Sequence, residues 1–399
     1  MSLIVQKFGG SSVADLTKIQ KIAELVAAVK KNGDDVVVVV SAMGKTTNQL
    51  IEMAHGISVD PHKREMDMLL STGERITMSL LCIALNERGV AAVSLTGSQA
   101  GIITNDRHND AKVIEVRPFR VQDEIAAGKV VVIGGFQGVS YRRDVTTLGR
   151  GGSDTSAVAL AAALNAERCE IYSDIDGVYS ADPALIKDAR HLPEISYQQM
   201  QEMSTAGAKV LNAQAVQFAK EANIAIYARA TFNREKETVV RKINPGTVSG
   251  VKAVVHENDV VRVRLTGGYH QFKTLLSFFR ENHIQMKELS YLGAIPLQPG
   301  EQVSFVLQVK NIYGWDALRS ELEKQFAQAI HFEDALGALS LIGDGLNEDN
   351  HVLSETLHLL EENNIPVTGI TTTSFRISLL IPRTALQQGV SLCHGKWIN

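Results

Sequence analysis

Residues 36–40 are five consecutive valines, bounded by a stop signal at Gly33 and a polar Ser41. A β-branched run with no polar alternation suits a strand buried on both faces, as in a parallel sheet covered by helices on either side. The flanking sequence repeats the theme. Residues 4–8 form a short apolar strand that ends in Gly9-Gly10, and Leu16, Ile19, Ala23, Val26 and Val29 recur at helical spacing. Farther along, 74–86 reads as a helix and 90–95 and 130–133 as strands. Residues 155–164 read as an apolar helix capped by Ser153, 169–173 as a strand, 208–222 as a helix and 224–227 as a strand. Strand–helix alternation of this length predicts an α/β domain with a largely parallel sheet.

The rhythm changes after the turn cluster Asn244-Pro245-Gly246-Thr247, which sets a domain boundary. Beyond it the pattern is β-α-β-β in shorter units, and it repeats. Phe278-Phe279-Arg280-Glu281-Asn282-His283-Ile284 matches Leu359-Leu360-Glu361-Glu362-Asn363-Asn364-Ile365 at an offset of 81. Each copy leads into a strand, at 303–309 and 375–381. Two small α+β modules are therefore expected. The expected division is 1–248, 249–335 and 336–399.

Composition narrows the function. The 399 residues carry 40 Lys and Arg against 44 Asp and Glu, a net charge of −4, with 45% hydrophobic and 21% charged residues. This is an ordinary globular balance, unsuited to disorder or to non-specific nucleic-acid binding. Cys82, Cys169 and Cys393 are odd in number and far apart, which fits a reducing compartment and predicts no metal cluster. No paired His-x-x-x-His spacing suggests zinc. The first residues turn polar too quickly for a signal peptide, and no charge-free run approaches 18 apolar residues. The expectation is a cytoplasmic protein with no membrane or nucleic-acid partner and no protein-held metal.

Three glycine-rich strand ends carry the chemistry. Lys7-Phe8-Gly9-Gly10-Ser11-Ser12 brings backbone amides and a lysine to one turn, which suits a phosphate, although a tight strand-to-helix turn with an incidental lysine reads equally well. Thr146-Thr147-Leu148-Gly149-Arg150-Gly151-Gly152-Ser153-Asp154 leads into an apolar helix whose amino end favours anions. Its arginine can grip a carboxylate or phosphate in two places. Ser173-Asp174-Ile175-Asp176-Gly177-Val178-Tyr179-Ser180-Ala181-Asp182-Pro183 follows a strand, at the sheet edge where open α/β folds bind ligands. Its acids suit nucleotide hydroxyls or magnesium, with Asp176 read as a solvated turn residue. Neither a Walker loop nor a Gly-x-Gly-x-x-Gly after the first strand is present.

Taken together, Lys7-Phe8-Gly9-Gly10-Ser11-Ser12-Val13, Val40-Ser41-Ala42-Met43-Gly44, Ser71-Thr72-Gly73-Glu74, Thr147-Leu148-Gly149-Arg150-Gly151-Gly152-Ser153-Asp154 and Gly207-Ala208-Lys209-Val210-Leu211 resemble the aspartokinase family, in its order and across the whole first domain. The resemblance implies the three-layer α/β/α amino-acid-kinase fold followed by two ACT (ferredoxin-like) modules, the first inserted in the second, whose opening strand would be 251–256. It implies phosphoryl transfer from ATP to the side chain of L-aspartate, with Mg²⁺ carried mostly on ATP oxygens. By similarity, Lys7, Asp154 and Lys209 are catalytic. Ser41, Glu74, Arg150 and Ser153 bind aspartate, with Glu74 on its ammonium and Arg150 on a carboxylate. Lys7, Gly9, Gly10, Ser173, Asp174, Tyr179, Asp182 and Lys209 serve the nucleotide. The family also implies a homodimer paired through ACT modules, and an amino-acid effector such as lysine or threonine.

Several positions depart from the family pattern. Asp182-Pro183-Ala184 stands where Asp-Pro-Arg is usual, and Asn212 where histidine is common. Thr266-Gly267-Gly268-Tyr269-His270-Gln271 replaces the Asp-x-Pro-Gly loop of the first ACT module, so an altered or lost effector site is expected. Two rival readings are a kinase for glutamate or acetylglutamate and a non-catalytic amino-acid-binding regulator. The Gly-Arg-Gly-Gly-Ser-Asp run and the tandem modules oppose the first. The intact Lys7, Glu74, Arg150 and Lys209 oppose the second.

Overall fold

A computed structural model describes residues 2–149, 151–208, 210–233, 235–243, 250–282, 284–291, 302–312 and 314–398. Arg150, Lys209 and the Asn244-Pro245-Gly246-Thr247 cluster lie outside them. The chain forms two compact units, one from 2–179, 191–205 and 210–243, the other from 180–190, 206–208 and 250–398.

The first unit is built on an eight-stranded sheet. Its order is Glu194–Ser196, Glu237–Arg241, Ala225–Ala230, Arg168–Ser173, Leu3–Phe8, Asp35–Val40, Val130–Gly134 and Ala92–Leu95. Every neighbouring pair is parallel except Ala225–Ala230 with Glu237–Arg241. All five valines of 36–40 are fully buried, because both faces of their strand are covered. Phe8, Val36, Val38, Val40 and Tyr172 turn one way, into a core with Ile22 and Val26 of helix Leu16–Lys31 and Leu81 and Leu85 of helix Thr72–Glu87. The alternate residues turn toward helix Gly152–Ala163, which is buried from 152 to 161 and apolar nearly all round. This is the three-layer α/β/α arrangement expected of the fold. A smaller four-stranded sheet joins Val113–Val116, Ile102–Thr104, Gln137–Ser140 and Val145–Thr147.

Register places the site. Phe8 lies opposite both Val40 and Tyr172, and Val40 opposite Gly134. Gly9-Gly10, Ser41, Gly135 and Ser173 therefore fall along one carboxyl edge of the sheet, where open α/β sheets place ligands. Helices Lys63–Leu70 and Thr72–Glu87 together form one stretch apolar and long enough to span a membrane, yet half of its most apolar window is buried inside the fold, as in a core helix.

The second unit is a six-stranded antiparallel sheet ordered Lys287–Tyr291, Gln302–Gln308, Gly250–Thr266, Ile330–Asp344, Arg376–Pro382 and Gly369–Thr373. The 17-residue strand Gly250–Thr266 pairs along 250–257 with 338–344, and farther on with Gln302–Gln308 and 330–333. Helices Tyr269–Glu281 and Trp315–Phe326 cover one stretch of the sheet through Phe279, Phe305 and Leu322. Helices His351–Glu362 and Leu386–Trp397 cover the other through Leu339, Leu360 and Val390. The sequence repeat is therefore structural: Phe278, Phe279 and Ile284 in one copy, and Leu360 and Ile365 in the other, are buried core residues. This sheet-rich region is consistent with ACT modules. Ala181 and Ile186 join the second of these cores, and the Val254 amide donates to the Ser180 carbonyl at 2.7 Å.

Candidate active site

Lys7 lies one residue before the end of its strand, on the face toward helix Gly152–Ala163. Asp154 stands in the first turn of that helix, where acids are favoured by the helix dipole. Lys7 Nζ and Asp154 Oδ1 are 2.6 Å apart, and each side chain is 11% exposed. The turn that follows is close-packed. The Gly9 amide donates to the Tyr172 carbonyl at 3.1 Å, and a Cβ at Gly10 would come 3.0 Å from the Ala42 carbonyl oxygen. The turn is thus shaped without side chains, beside a lysine.

Glu74 is buried in the first turn of helix Thr72–Glu87. Its Oε1 accepts from the Ala42 amide at 3.1 Å, while Oε2 has no partner among the described residues. Burial pushes its carboxyl up to about 7, against the pull of hydrogen bonds from backbone amides, its own and that of Ala42. Nearby, Ser41 Oγ donates to Ser153 Oγ at 3.0 Å. Gly135 is packed so tightly that a Cβ there would lie 2.8 Å from Val39 Cγ1 and 3.0 Å from Ser153 Oγ. Lys7, Gly9, Gly10, Ser41, Glu74, Ser153 and Asp154 are thus assembled from two strand ends and two helix starts.

The loop before Asp154 differs from the sequence reading. The helix begins at Gly152, three residues earlier than expected, and its cap is Gly151, with left-handed backbone (φ 73°) and no side-chain cap. Ser153 therefore does not cap it; the residue lies inside the first turn, and its hydroxyl accepts from Ser41. Gly151 sits against Asn212, whose Nδ2 would be 2.5 Å from an added Cβ. Asn212 in turn caps helix Ala213–Ala222 by accepting from the Gln214 and Ala215 amides at 2.8 and 3.3 Å. This cap starts the helix at Ala213 instead of 208.

On the nucleotide side, Ser173 ends its strand and Asp174 is exposed. Thr231, which no motif had flagged, donates to the Ser173 carbonyl from both its amide and its hydroxyl at 2.9 Å, and its hydroxyl lies 2.6 Å from Ser12 Oγ. It ties the first glycine turn to the third loop, a link between positions 219 apart that local spacing cannot reveal. Tyr179 donates its hydroxyl to Asp176 Oδ1 at 2.8 Å and meets the His191 ring edge-on at 5.4 Å. Burial and the Asp176 hydrogen bond push the phenol up to about 12. Asp176 is therefore this tyrosine's partner and not a solvated turn residue. Asp182 belongs to the second unit, where its carboxylate accepts from the Ala184 amide at 2.9 Å.

This geometry agrees with comparisons to known proteins. The family model described as "Amino acid kinase family" matches residues 2–228. The aspartokinase of Mycolicibacterium smegmatis is 40% identical, covering 99% of this chain and 96% of its own, and that of Bacillus sp. (strain MGA3) is 39% identical, covering 99% and 97%. Among solved structures, E. coli aspartokinase III in complex with aspartate and ADP superimposes with a TM-score of 0.84 at 23% identity over the full length of both chains. The aspartate kinase from Synechocystis is 31% identical, with a TM-score of 0.56 over 99% of this chain and 69% of that one. The chain belongs to the amino acid kinase family. Its full-length relatives place it among the aspartokinases, which are phosphotransferase enzymes.

Proposed function

We propose that this chain transfers the γ-phosphoryl group of ATP to the side-chain carboxylate of L-aspartate, giving 4-phospho-L-aspartate and ADP, at the head of lysine, threonine and methionine synthesis. The observation that carries this reading is the buried Glu74 Oε2, unpartnered among the described residues and on the same sheet edge as the Lys7–Asp154 pair. A buried carboxylate oxygen lacking a donor suits a substrate ammonium.

The attacking carboxylate has an ordinary pKa of about 4 and arrives ionised, so no general base is required. Its oxygen forms a bond to the γ-phosphorus as the bond to the ADP oxygen breaks, and ADP leaves with that electron pair. The obstacle is the approach of one anion to another, and it is met by positioning and charge neutralisation. In this reading Glu74 takes the aspartate ammonium, Arg150 a carboxylate, and Ser41 and Ser153 line the acceptor. Lys7, aimed by Asp154, neutralises the transferring group beside Gly9 and Gly10. Ser173, Asp174, Tyr179 and Lys209 serve the nucleotide. The close-packed glycine turn beside a lysine fits triphosphate oxygens. Mg²⁺, held chiefly on those oxygens with Asp174 the nearest acid in sequence to the strand end, would draw charge from the leaving phosphate.

The same reading places the enzyme in the cytoplasm. It divides the chain into a catalytic domain and two ACT modules that pair between copies as a homodimer, a view supported by Lys287–Tyr291 and Gly369–Thr373, the edge strands of the second sheet among the described residues. With its first effector loop replaced, the enzyme should show little inhibition by lysine or threonine; strong inhibition at physiological concentrations would refute that part. The deciding experiment measures aspartate-dependent ADP release with hydroxylamine trapping of the acyl phosphate. Turnover with glutamate and not aspartate, or amino-acid binding without turnover, overturns the proposal.

A further inference from the structure

Asp67, on helix Lys63–Leu70, is fully buried, more so than Glu74 or Asp154, and belongs to none of the motifs described above. Among the described residues no lysine or arginine pairs with it. Its oxygens are met instead by a hydroxyl, a backbone amide and an imidazole from two other segments. The Thr147 hydroxyl and the Asn109 amide donate to Oδ1, the latter at 3.0 Å, and His108 Nδ1 lies 2.7 Å from Oδ2. Oδ1 must accept from both the hydroxyl and the amide, while Oδ2 faces an imidazole nitrogen whose role follows its tautomer. Enclosing a carboxylate this completely is costly, and the hydrogen bonds that offset the cost tie its partners to it.

What they hold is the approach to the substrate loop. Thr147 ends strand Val145–Thr147, and the next residues are Leu148-Gly149-Arg150-Gly151. The loop that supplies His108 and Asn109 also forms the floor under Gly149, where an added Cβ would lie 3.1 Å from Asp110 Oδ1 and 3.4 Å from the Asn109 carbonyl. The Ala111 amide donates back to the Thr147 carbonyl at 2.8 Å. Helix, loop and strand thus meet at one carboxylate, two residues before the glycine that precedes Arg150.

We propose that Asp67, with His108 and Thr147, is a positioning residue that fixes where the Gly149-Arg150-Gly151 loop begins and so sets affinity for the acceptor amino acid without touching it. This rests on the reading that Arg150 grips an aspartate carboxylate. The test is steady-state kinetics of the full chain carrying Thr147→Val, which keeps the shape and removes the hydroxyl, beside Thr147→Ser, which keeps the hydroxyl. Thr147→Val should raise the aspartate KM about tenfold, with kcat and the ATP KM within about twofold of wild type, and Thr147→Ser should restore most of the loss. The clamp is overturned if the aspartate KM stays within about twofold, if both KM values rise together, or if Thr147→Ser is as impaired as Thr147→Val. Should Thr147→Val fail to fold, His108→Ala, whose side chain is partly exposed, is read by the same split between the two KM values. The wild-type chain run alongside separates the readings. Absence of aspartate-dependent ADP release overturns the activity. Normal wild-type turnover with an unmoved aspartate KM in the variants overturns the clamp.

Discussion

Glu74 holds the Ala42 amide with one carboxylate oxygen and buries the other with nothing to accept from among the described residues. Because burial raises its pKa from 4.5 to about 7, the folded chain binds more protons than the unfolded chain between those values. The destabilisation is absent below pH 4.5, grows as pH rises, and is complete above about 7. Glu74→Gln should therefore stabilise the ligand-free protein by on the order of 3 kcal/mol at pH 8 and by little near pH 4.5. Urea unfolding at the two pH values checks this; a gain confined to low pH would refute burial as the cause.

A substrate ammonium seated on Glu74 reverses that cost by favouring the ionised form. Aspartate should bind better as pH rises from 6 to 8, its KM being roughly tenfold higher one unit below the Glu74 pKa than well above it. Initial rates at saturating ATP across this range provide the test. A flat aspartate KM would remove Glu74 from the ammonium site.

Lys7 and Asp154 form a nearly enclosed pair, so removing one charge strands the other. Lys7→Ala should abolish turnover and lower stability by roughly 3 kcal/mol. Adding Asp154→Asn to Lys7→Ala should recover most of that stability and none of the activity. Asp154→Asn alone should lower kcat by about 10- to 100-fold through a misplaced lysine, with a smaller change in the aspartate KM. Equal losses of stability in the single and double variants would mean that the two charges do not interact.

Gly135 leaves no room for a methyl group between Val39 and Ser153. Gly135→Ala should cost about 1–3 kcal/mol and displace Ser153 from Ser41, lowering aspartate affinity more than ATP affinity. Thermal unfolding and the two KM values measure this, and a neutral substitution would show that the packing yields.

Features written in local pattern were legible in the sequence. The valines of 36–40, the helical spacing from Leu16 and the glycine-rich strand ends named the core and most of one cluster, because each reflects a periodicity or a turn requirement a few residues long. Ser153 misled because a hydroxyl before an apolar helix has the composition of a cap, whereas the start of this helix is set by left-handed Gly151 packed on Asn212, a contact 61 positions away in sequence. Asp67 and Thr231 were invisible for the same reason, since their partners lie tens to hundreds of positions away. The edge strands Lys287–Tyr291 and Gly369–Thr373 lack the apolar density that marks a buried strand, being half exposed and polar.

Ser180 to Arg190 leave the first unit just after Tyr179, contribute Ala181 and Ile186 to the core beneath helices His351–Glu362 and Leu386–Trp397, and return at His191, whose backbone pairs with Tyr179. The linear order of the gene and the boundaries of the folded bodies therefore disagree. A fragment cut after residue 249 would carry two apolar side chains without their core, and the complementary fragment would lack part of its own. Neither piece is a portable cassette. Exchanging the C-terminal half for that of a relative would require grafting this eleven-residue insert along with it.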